Sequence, residues 1–311
     1  EITKQNLAST GRIENEYKED TFTSENTTLY MGDCVEQAKK IPDNSIHFSV
    51  FSPPFSSLYT YSNSSRDMGN CKTDDEFMGH LAYLADELYR ILMPGRNMAV
   101  HCFDIPAMKQ KEGFIGLKDF PGMLIRLFES RGFIFHSRFT IWKDPVTAMQ
   151  RTKALGLLHK QIKKDSAMSR TGIPDYIIVM RKPGENPEPI THTNESFPVS
   201  KWQEYASPIW MDINPSCTLQ RFSAREDDDE RHICPLQLDV IERCIELWSN
   251  PGDIVFTPFM GIGSEVYQAV IMGRRGIGIE LKESYFYQAC ANITKGEKEL
   301  KTPQVALTTF F

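Results

Sequence analysis

Ile46-His47-Phe48-Ser49-Val50-Phe51-Ser52-Pro53-Pro54-Phe55 is an apolar run that stops at two consecutive prolines. The run predicts a strand, and the prolines, which carry no N–H donor, end it in a rigid turn. Open α/β sheets place their ligands at the carboxyl ends of strands, so chemistry is expected here. Ser52 offers a hydroxyl, the prolines offer carbonyl oxygens, and Phe55 offers a flat face. That set suits a planar base bearing an exocyclic amine. Taken alone, the tetrapeptide is more often a plain strand end with its phenylalanine in the core.

Far downstream, Gly252-Asp253-Ile254-Val255-Phe256-Thr257-Pro258-Phe259-Met260-Gly261-Ile262-Gly263-Ser264 predicts a short strand and a glycine turn, followed by a helix over Glu265–Met272. A second strand, Arg275-Gly276-Ile277-Gly278-Ile279, ends in Glu280. This is a nucleotide-binding βαβ half: Gly261 and Gly263 let backbone approach a ligand, and Glu280 is placed to accept both hydroxyls of a ribose. The dinucleotide form fails because Val266 stands where a third glycine belongs, and the loop lacks a phosphate-cradling lysine. An adenosine ligand without a pyrophosphate fits better, and S-adenosylmethionine is the commonest such cofactor. The same loop alone is equally consistent with a simple connection.

In this order the two motifs resemble the β-class amino DNA methyltransferases, whose Ser/Asp-Pro-Pro-Phe/Tyr turn precedes a Phe-x-Gly-x-Gly cofactor loop. Other matching pieces are Tyr30-Met31-Gly32-Asp33-Cys34, Leu92-Met93-Pro94-Gly95-Arg96, Ile141-Trp142-Lys143 and Cys234-Pro235-Leu236-Gln237. The likeness covers roughly residues 28 to 295, and the ordered set is far more specific than any one member. One departure is Thr257, where the family usually has Asp before Pro-Phe; a hydroxyl hydrogen-bonds but adds no charge to attract the cofactor's ammonium or sulfonium.

The resemblance implies a Rossmann-like α/β fold, with a mixed, mostly parallel sheet, helices on both faces and a target-recognition insert. It implies a catalytic half over 28–143 and the insert over 144–173, while the mostly polar residues 1–27 read as a loose arm or a partner contact. A closing strand and long connection follow over 174–233, a cofactor half over 234–295 and a tail over 296–311. Ser52, Pro53, Pro54 and Phe55 are the expected catalytic turn. The expected S-adenosylmethionine site comprises Asp33, Cys34, Pro235, Gln237, Thr257, Pro258, Phe259, Gly261, Gly263, Ser264 and Glu280, with Asp33 at the adenine amine and Glu280 at the ribose. For Asp33, an ordinary turn aspartate is an equal reading. The partner is double-stranded DNA, and monomer and homodimer both stay open. Serine at the head of the turn favours cytosine N4 over adenine N6. Alternatives are a DNA-binding relative without catalysis, a methyltransferase of RNA or protein amides, whose motif order is usually reversed, and a nicotinamide dehydrogenase, disfavoured by the missing third glycine.

Net charge is −6, and distribution matters more than the sum for a DNA partner. Between 143 and 182 nine basic residues outnumber three acids, leaving the segment near +6. Lys143, Arg151, Lys153, Lys160, Lys163, Lys164 and Arg170 are therefore expected to track phosphates, the plainer alternative being a solvated helix face. The polar stretch 56–70 is long for a turn and reads as a lid, with Tyr59, Tyr61 and Arg66 facing DNA or plain solvent. The acidic run 226–230 is expected in a solvated loop.

The 41% apolar content describes an ordinary soluble protein with core enough for one large domain or two small ones. A polar, charged first twenty residues and no membrane-length apolar run predict a cytoplasmic protein, bacterial or phage-encoded. Seven scattered cysteines without a Cys-x-x-Cys pair predict a reducing compartment and no metal. Alternating strands and helices predict a parallel-dominated sheet, with 133–141 and 176–180 as an antiparallel pair flanking the insert. The insert is expected to be helical around 153–163, and 182–233 to be irregular.

Overall fold

The computed structural model describes residues 18–55, 66–107, 109–152, 159–163, 171–219 and 235–301. The chain begins with β1 (Asp20–Thr23) and β2 (Thr27–Met31), then α1 (Cys34–Ala38), β3 (Phe48–Phe51), α2 (Asp74–Ile91) and β4 (Asn97–Cys102). A small antiparallel pair follows, β5 (Ile105–Ala107) and β6 (Gly116–Lys118), with α3 (Lys109–Glu112) between its strands. Next come α4 (Phe120–Ser130), β7 (Ile134–Ile141), α5 (Pro145–Thr152), α6 (His159–Ile162) and β8 (Asp175–Arg181). The chain continues through α7 (Val199–Tyr205), β9 (Ile209–Trp210), α8 (Leu238–Trp248) and β10 (Ile254–Thr257). It closes with α9 (Ser264–Ile271), β11 (Arg275–Glu280) and α10 (Glu283–Lys301).

One nine-stranded sheet runs in the order β1-β2-β11-β10-β3-β4-β8-β7-β9. Its centre, β2 to β4 in that order, is parallel, and β8 and β7 form the expected antiparallel pair. The mixed, mostly parallel sheet is thus the one the sequence predicts. β3 is buried along its whole length, as a central strand covered on both faces must be. Alternation along β4 shows the two layers: Met98 and Val100 join the core of α2 and α4, whereas Ala99 joins that of α8. Thr73 caps α2 by accepting the Glu76 N–H at 3.1 Å, and three acids in its first turn suit the positive end of the helix dipole. The buried stripe Phe77, Leu81, Leu84, Ala85 and Leu88 then repeats at helical spacing.

At the amino ends of β4 and β10, Arg96 is fully enclosed and donates to Asp253 Oδ2 at 2.9 Å. The arginine's Nε and Nη1 have no hydrogen-bond partner, so this pair carries the buried charge.

Three stretches depart from expectation. Within the arm, Asp20–Thr23 forms β1, a polar edge strand held by backbone pairing to β2 instead of by an apolar pattern. The connection 182–233 is not wholly irregular: it holds α7 and the two-residue β9, which pairs with β7 and buries Trp210 completely. α10 crosses position 295 and ends at Lys301, with Tyr285, Phe286, Ala289, Ile293 and Gly296 buried along it. In the insert, α6 falls inside the expected helical stretch, while 153–158 and 164–170 lie outside the described residues. No helix among the described residues is long and apolar enough to cross a membrane.

Candidate active site

The carboxyl ends of β2, β11, β10 and β3 are neighbours at one sheet edge. Parallel pairing therefore sets Asp33, Glu280, the glycine loop and the proline turn in a row, although some two hundred residues separate the two motifs. Phe51 and Phe259, one from each motif, have ring centroids 6.0 Å apart. The buried Ser49 Oγ donates to the Phe256 carbonyl at 3.0 Å and ties the two strands together.

On the β11 side, Glu280 holds the loop. Its Oε2 accepts the Gly261 N–H and its Oε1 the Lys282 N–H, each at 2.8 Å. Burial pushes its carboxyl up to about 7, with those backbone donors opposing. Gly263 sits at φ 90°, and a Cβ there would lie 3.0 Å from the Ala289 Cβ, so only glycine makes this entry to α9 without strain. A Cβ on Gly261 would meet nothing within 4 Å. Open space beside a partly buried carboxylate at the start of a helix suits a ribose-bearing ligand, and the residues present fit S-adenosylmethionine on that ground.

The other expected cofactor residues divide. Asp33 caps α1, its Oδ1 accepting from Val35 N at 2.9 Å and Glu36 N at 3.1 Å, and its Oδ2 lies 3.7 Å from Arg66 Nη1. Phe259 and Gly261 are partly exposed on the edge; Pro258, Gly263 and Ser264 are buried beneath it. Thr257 is fully buried, and its Oγ1 has neither a partner nor solvent access, so its hydroxyl points into packed protein. Cys34 faces the core under α1, and burial, aided by Asp33, raises its thiol far above the usual range. Pro235 and Gln237 precede α8, with Gln237 at its N-cap and its Oε1 unpartnered.

On the other side of the proline turn, the strand order creates a feature that the sequence does not announce. Ser52 Oγ lies 2.9 Å from His101 Nδ1, and His101 Nε2 lies 3.1 Å from Asp175 Oδ2. Lys143 Nζ completes the row, 2.6 Å from Asp175 Oδ1. Register explains the line-up. Phe51 pairs with Val100, which sets Ser52 beside His101. His101 pairs with Ile177 and Ile141 with Asp175, and a side-chain period of two then turns His101, Asp175 and Lys143 to one face. Burial works to raise the Asp175 carboxyl, but His101 and Lys143 outweigh it and hold it below the usual carboxylate range. Phe55 packs at 4.3 Å from Phe103 and meets the His101 ring edge-on at 6.2 Å, remaining partly exposed.

Sequence reasoning missed His101 and Asp175. A signal was present: His101 is the one ionisable side chain in the strand Asn97-Met98-Ala99-Val100-His101-Cys102 apart from its terminal thiol, and a buried histidine in such a strand needs partners.

The residues expected on DNA scatter. Lys160 and Lys163 are exposed on and just past α6, and Arg151 falls in α5. Lys143 is partly committed to Asp175, and Arg66 turns toward Asp33. Tyr59, Lys153, Lys164, Arg170 and the acidic run 226–230 lie outside the described residues. The basic segment itself needs one correction, because Lys182 is buried, donating to Asn44 Oδ1 at 2.7 Å and the Leu92 carbonyl at 2.8 Å, and is not presented to phosphates at the surface.

Comparison with known proteins agrees with this geometry. A DNA methylase family model, of the N6 and N4 type, matches residues 46–291. The DNA adenine methyltransferase YhdJ of Escherichia coli (strain K12) is 26% identical over 267 residues, covering 85% of this chain and 81% of that one. The Type II methyltransferase M.BglII of Bacillus subtilis is 23% identical over 262 residues, covering 83% of this chain; the match spans just under two thirds of that relative, 66%. A Thermus thermophilus chain, assigned as a DNA modification methylase and solved with S-adenosyl-L-methionine, superposes with a TM-score of 0.64 at 22% identity, covering 87% of this chain and 95% of that one. The cytosine-N4-specific PvuII DNA methyltransferase superposes at 0.60 with 17% identity, covering 89% and 93%. At such identities the two solved structures speak for the fold, and the family model for the kinship. With that model spanning most of its length and both motifs on one sheet edge, this chain belongs to the N6/N4 DNA methylase family.

Proposed function

We propose that this chain transfers a methyl group from S-adenosylmethionine to the N4 amine of a cytosine flipped out of double-stranded DNA. The observation that supports it most is the adjacency of the proline turn and the Glu280-held loop across β3 and β10. The cofactor supplies an electrophilic methyl, which bonds to the amine nitrogen as the carbon–sulfur pair returns to sulfur. Ser52 Oγ and the Pro53 carbonyl accept hydrogen bonds from the amine, pulling its lone pair out of ring conjugation and aiming it at the methyl. Phe55 gives the extruded base a face to stack on, which offsets a few kcal/mol of unstacking. Pro53 and Pro54 contribute no N–H to a would-be oxyanion hole, which opposes reading Ser52, His101 and Asp175 as a hydrolase triad.

Methyl-labelled cofactor, duplex DNA and digestion to nucleosides test the proposal. N4-methylcytosine is the expected product. The relative YhdJ, named for adenine, favours N6-methyladenine as the second reading, and that product alone would reassign the base. Labelled RNA or protein with unlabelled DNA would overturn the DNA assignment.

Two further outcomes follow at the same site. Glu280 must be ionised to accept both ribose hydroxyls, whereas burial holds its carboxyl up to about 7. A raised carboxyl stabilises the ligand-free fold at low pH and loses that contribution as pH climbs through 7. Cofactor binding runs the other way. Its affinity should weaken about tenfold from pH 8 to pH 6, with proton release on binding read by calorimetry in two buffers, and Glu280→Gln should flatten the dependence. On DNA, Lys160→Ala and Lys163→Ala should each weaken binding evenly across sequences and reduce the salt slope by about one. Unchanged slopes would remove α6 from the interface.

A further inference from the structure

Methylating an exocyclic amine leaves its nitrogen with one proton too many, and the row at the sheet edge offers that proton a path. Asp175 is buried and ionised, with Lys143 on its far oxygen and His101 Nε2 near the other. Nε2 approaches obliquely, at 3.1 Å but off an ideal hydrogen-bond line. A carboxylate facing Nε2 favours the tautomer with its N–H there, leaving Nδ1 as an acceptor. Ser52 Oγ, 2.9 Å from Nδ1, is then the donor, which leaves its two lone pairs to accept from an amine.

We infer that His101 is a positioning residue that takes up the amine proton through Ser52. This rests on the amine methyltransferase reading above. As the amine N–H bond breaks, its proton bonds to Ser52 Oγ while the serine's own proton moves to Nδ1. The amine loses the positive charge it gained on methylation, and His101 gains it as imidazolium beside the Asp175 carboxylate. Solvent later takes the proton and restores the row. Groups facing the ring are Ser52 from the end of β3, Asp175 from β8, and the edge of Phe55, with Lys143 behind Asp175. Lys143 keeps Asp175 ionised, so the proton stops on the ring. A mainly structural His101 would need no such chain of partners leading to the catalytic hydroxyl.

His101→Asn tests this. Asparagine still offers an acceptor to Ser52 but no basic nitrogen. Single-turnover methyl transfer with saturating cofactor and DNA should rise with pH to a plateau in the unmodified protein. In His101→Asn the plateau should fall about 10²- to 10⁴-fold and the rise should vanish, while cofactor and DNA dissociation constants move less than about threefold. Should His101→Asn fail to fold, Asp175→Asn reads the same path, with an expected loss of similar size and a displaced pH profile. Either variant keeping the original rate and profile overturns the inference, as does a loss confined to binding. If the unmodified protein methylates no nucleobase amine, the function proposed above fails; if it does and His101→Asn behaves identically, only the relay fails.

Discussion

Ser52→Ala is expected to lower the single-turnover methyl-transfer rate by about 10²- to 10³-fold while cofactor affinity stays within about twofold. The hydroxyl lies on the β3 side of the edge, and the Glu280-held loop lies across β10, so removing one oxygen leaves the loop proposed to hold the cofactor in place. On the proposed mechanism, what is lost is an acceptor whose value grows as the amine becomes tetrahedral, and such interactions act on rate more than on binding. The change also leaves His101 Nδ1 without its partner, at a cost of about 1–3 kcal/mol in a buried setting. Thermal midpoint and cofactor titration, measured with the rate, separate that cost from catalysis. Parallel loss of cofactor affinity and rate would take Ser52 away from the amine.

Asp253→Ala should destabilise the fold by about 3–5 kcal/mol, because it strands the Arg96 charge in a fully enclosed position. With about 2–4 °C per kcal/mol for a domain of this class, the thermal midpoint should fall by roughly 10 °C. Asp253 Oδ2 also accepts the Asn250 N–H at 2.8 Å, so the loop before β10 loses an anchor as well. Arg96→Met in the Asp253→Ala background should recover much of the loss, since removing both charges leaves no buried charge unpaired and only the Asn250 N–H without its acceptor. The pair lies at the amino ends of the strands, opposite the active edge, so activity per folded molecule should hold. A shift of only a degree or two would mean that water reaches Arg96.

Elements were readable in the sequence where a local pattern carried them. The apolar β3 run, the caps and stripe of α2, and the strand–glycine–helix pattern around Gly261 and Gly263 each state their conformation within a few residues. Elements held by distant partners were not. β1 and β9 are strands because β2 and β7 supply their hydrogen bonds, and neither has an apolar alternation of its own. The same limit applied at the site. Ser52 and Glu280 stand at motif ends and could be named; Lys182 looked like part of a basic face and is buried under Tyr89 and Leu92.

Motif identity and motif order were properties of the chain alone, and they were enough to name the expected fold, cofactor class and catalytic turn. Which side chains stand next to Ser52 was decided only by strand order. His101 on β4, Asp175 on β8 and Lys143 just past β7 are dispersed along the chain, and they line up because those strands pair in that order with that register. Local periodicity specifies what each segment becomes, whereas long-range pairing, chosen by the burial of whole faces at once, specifies its neighbours.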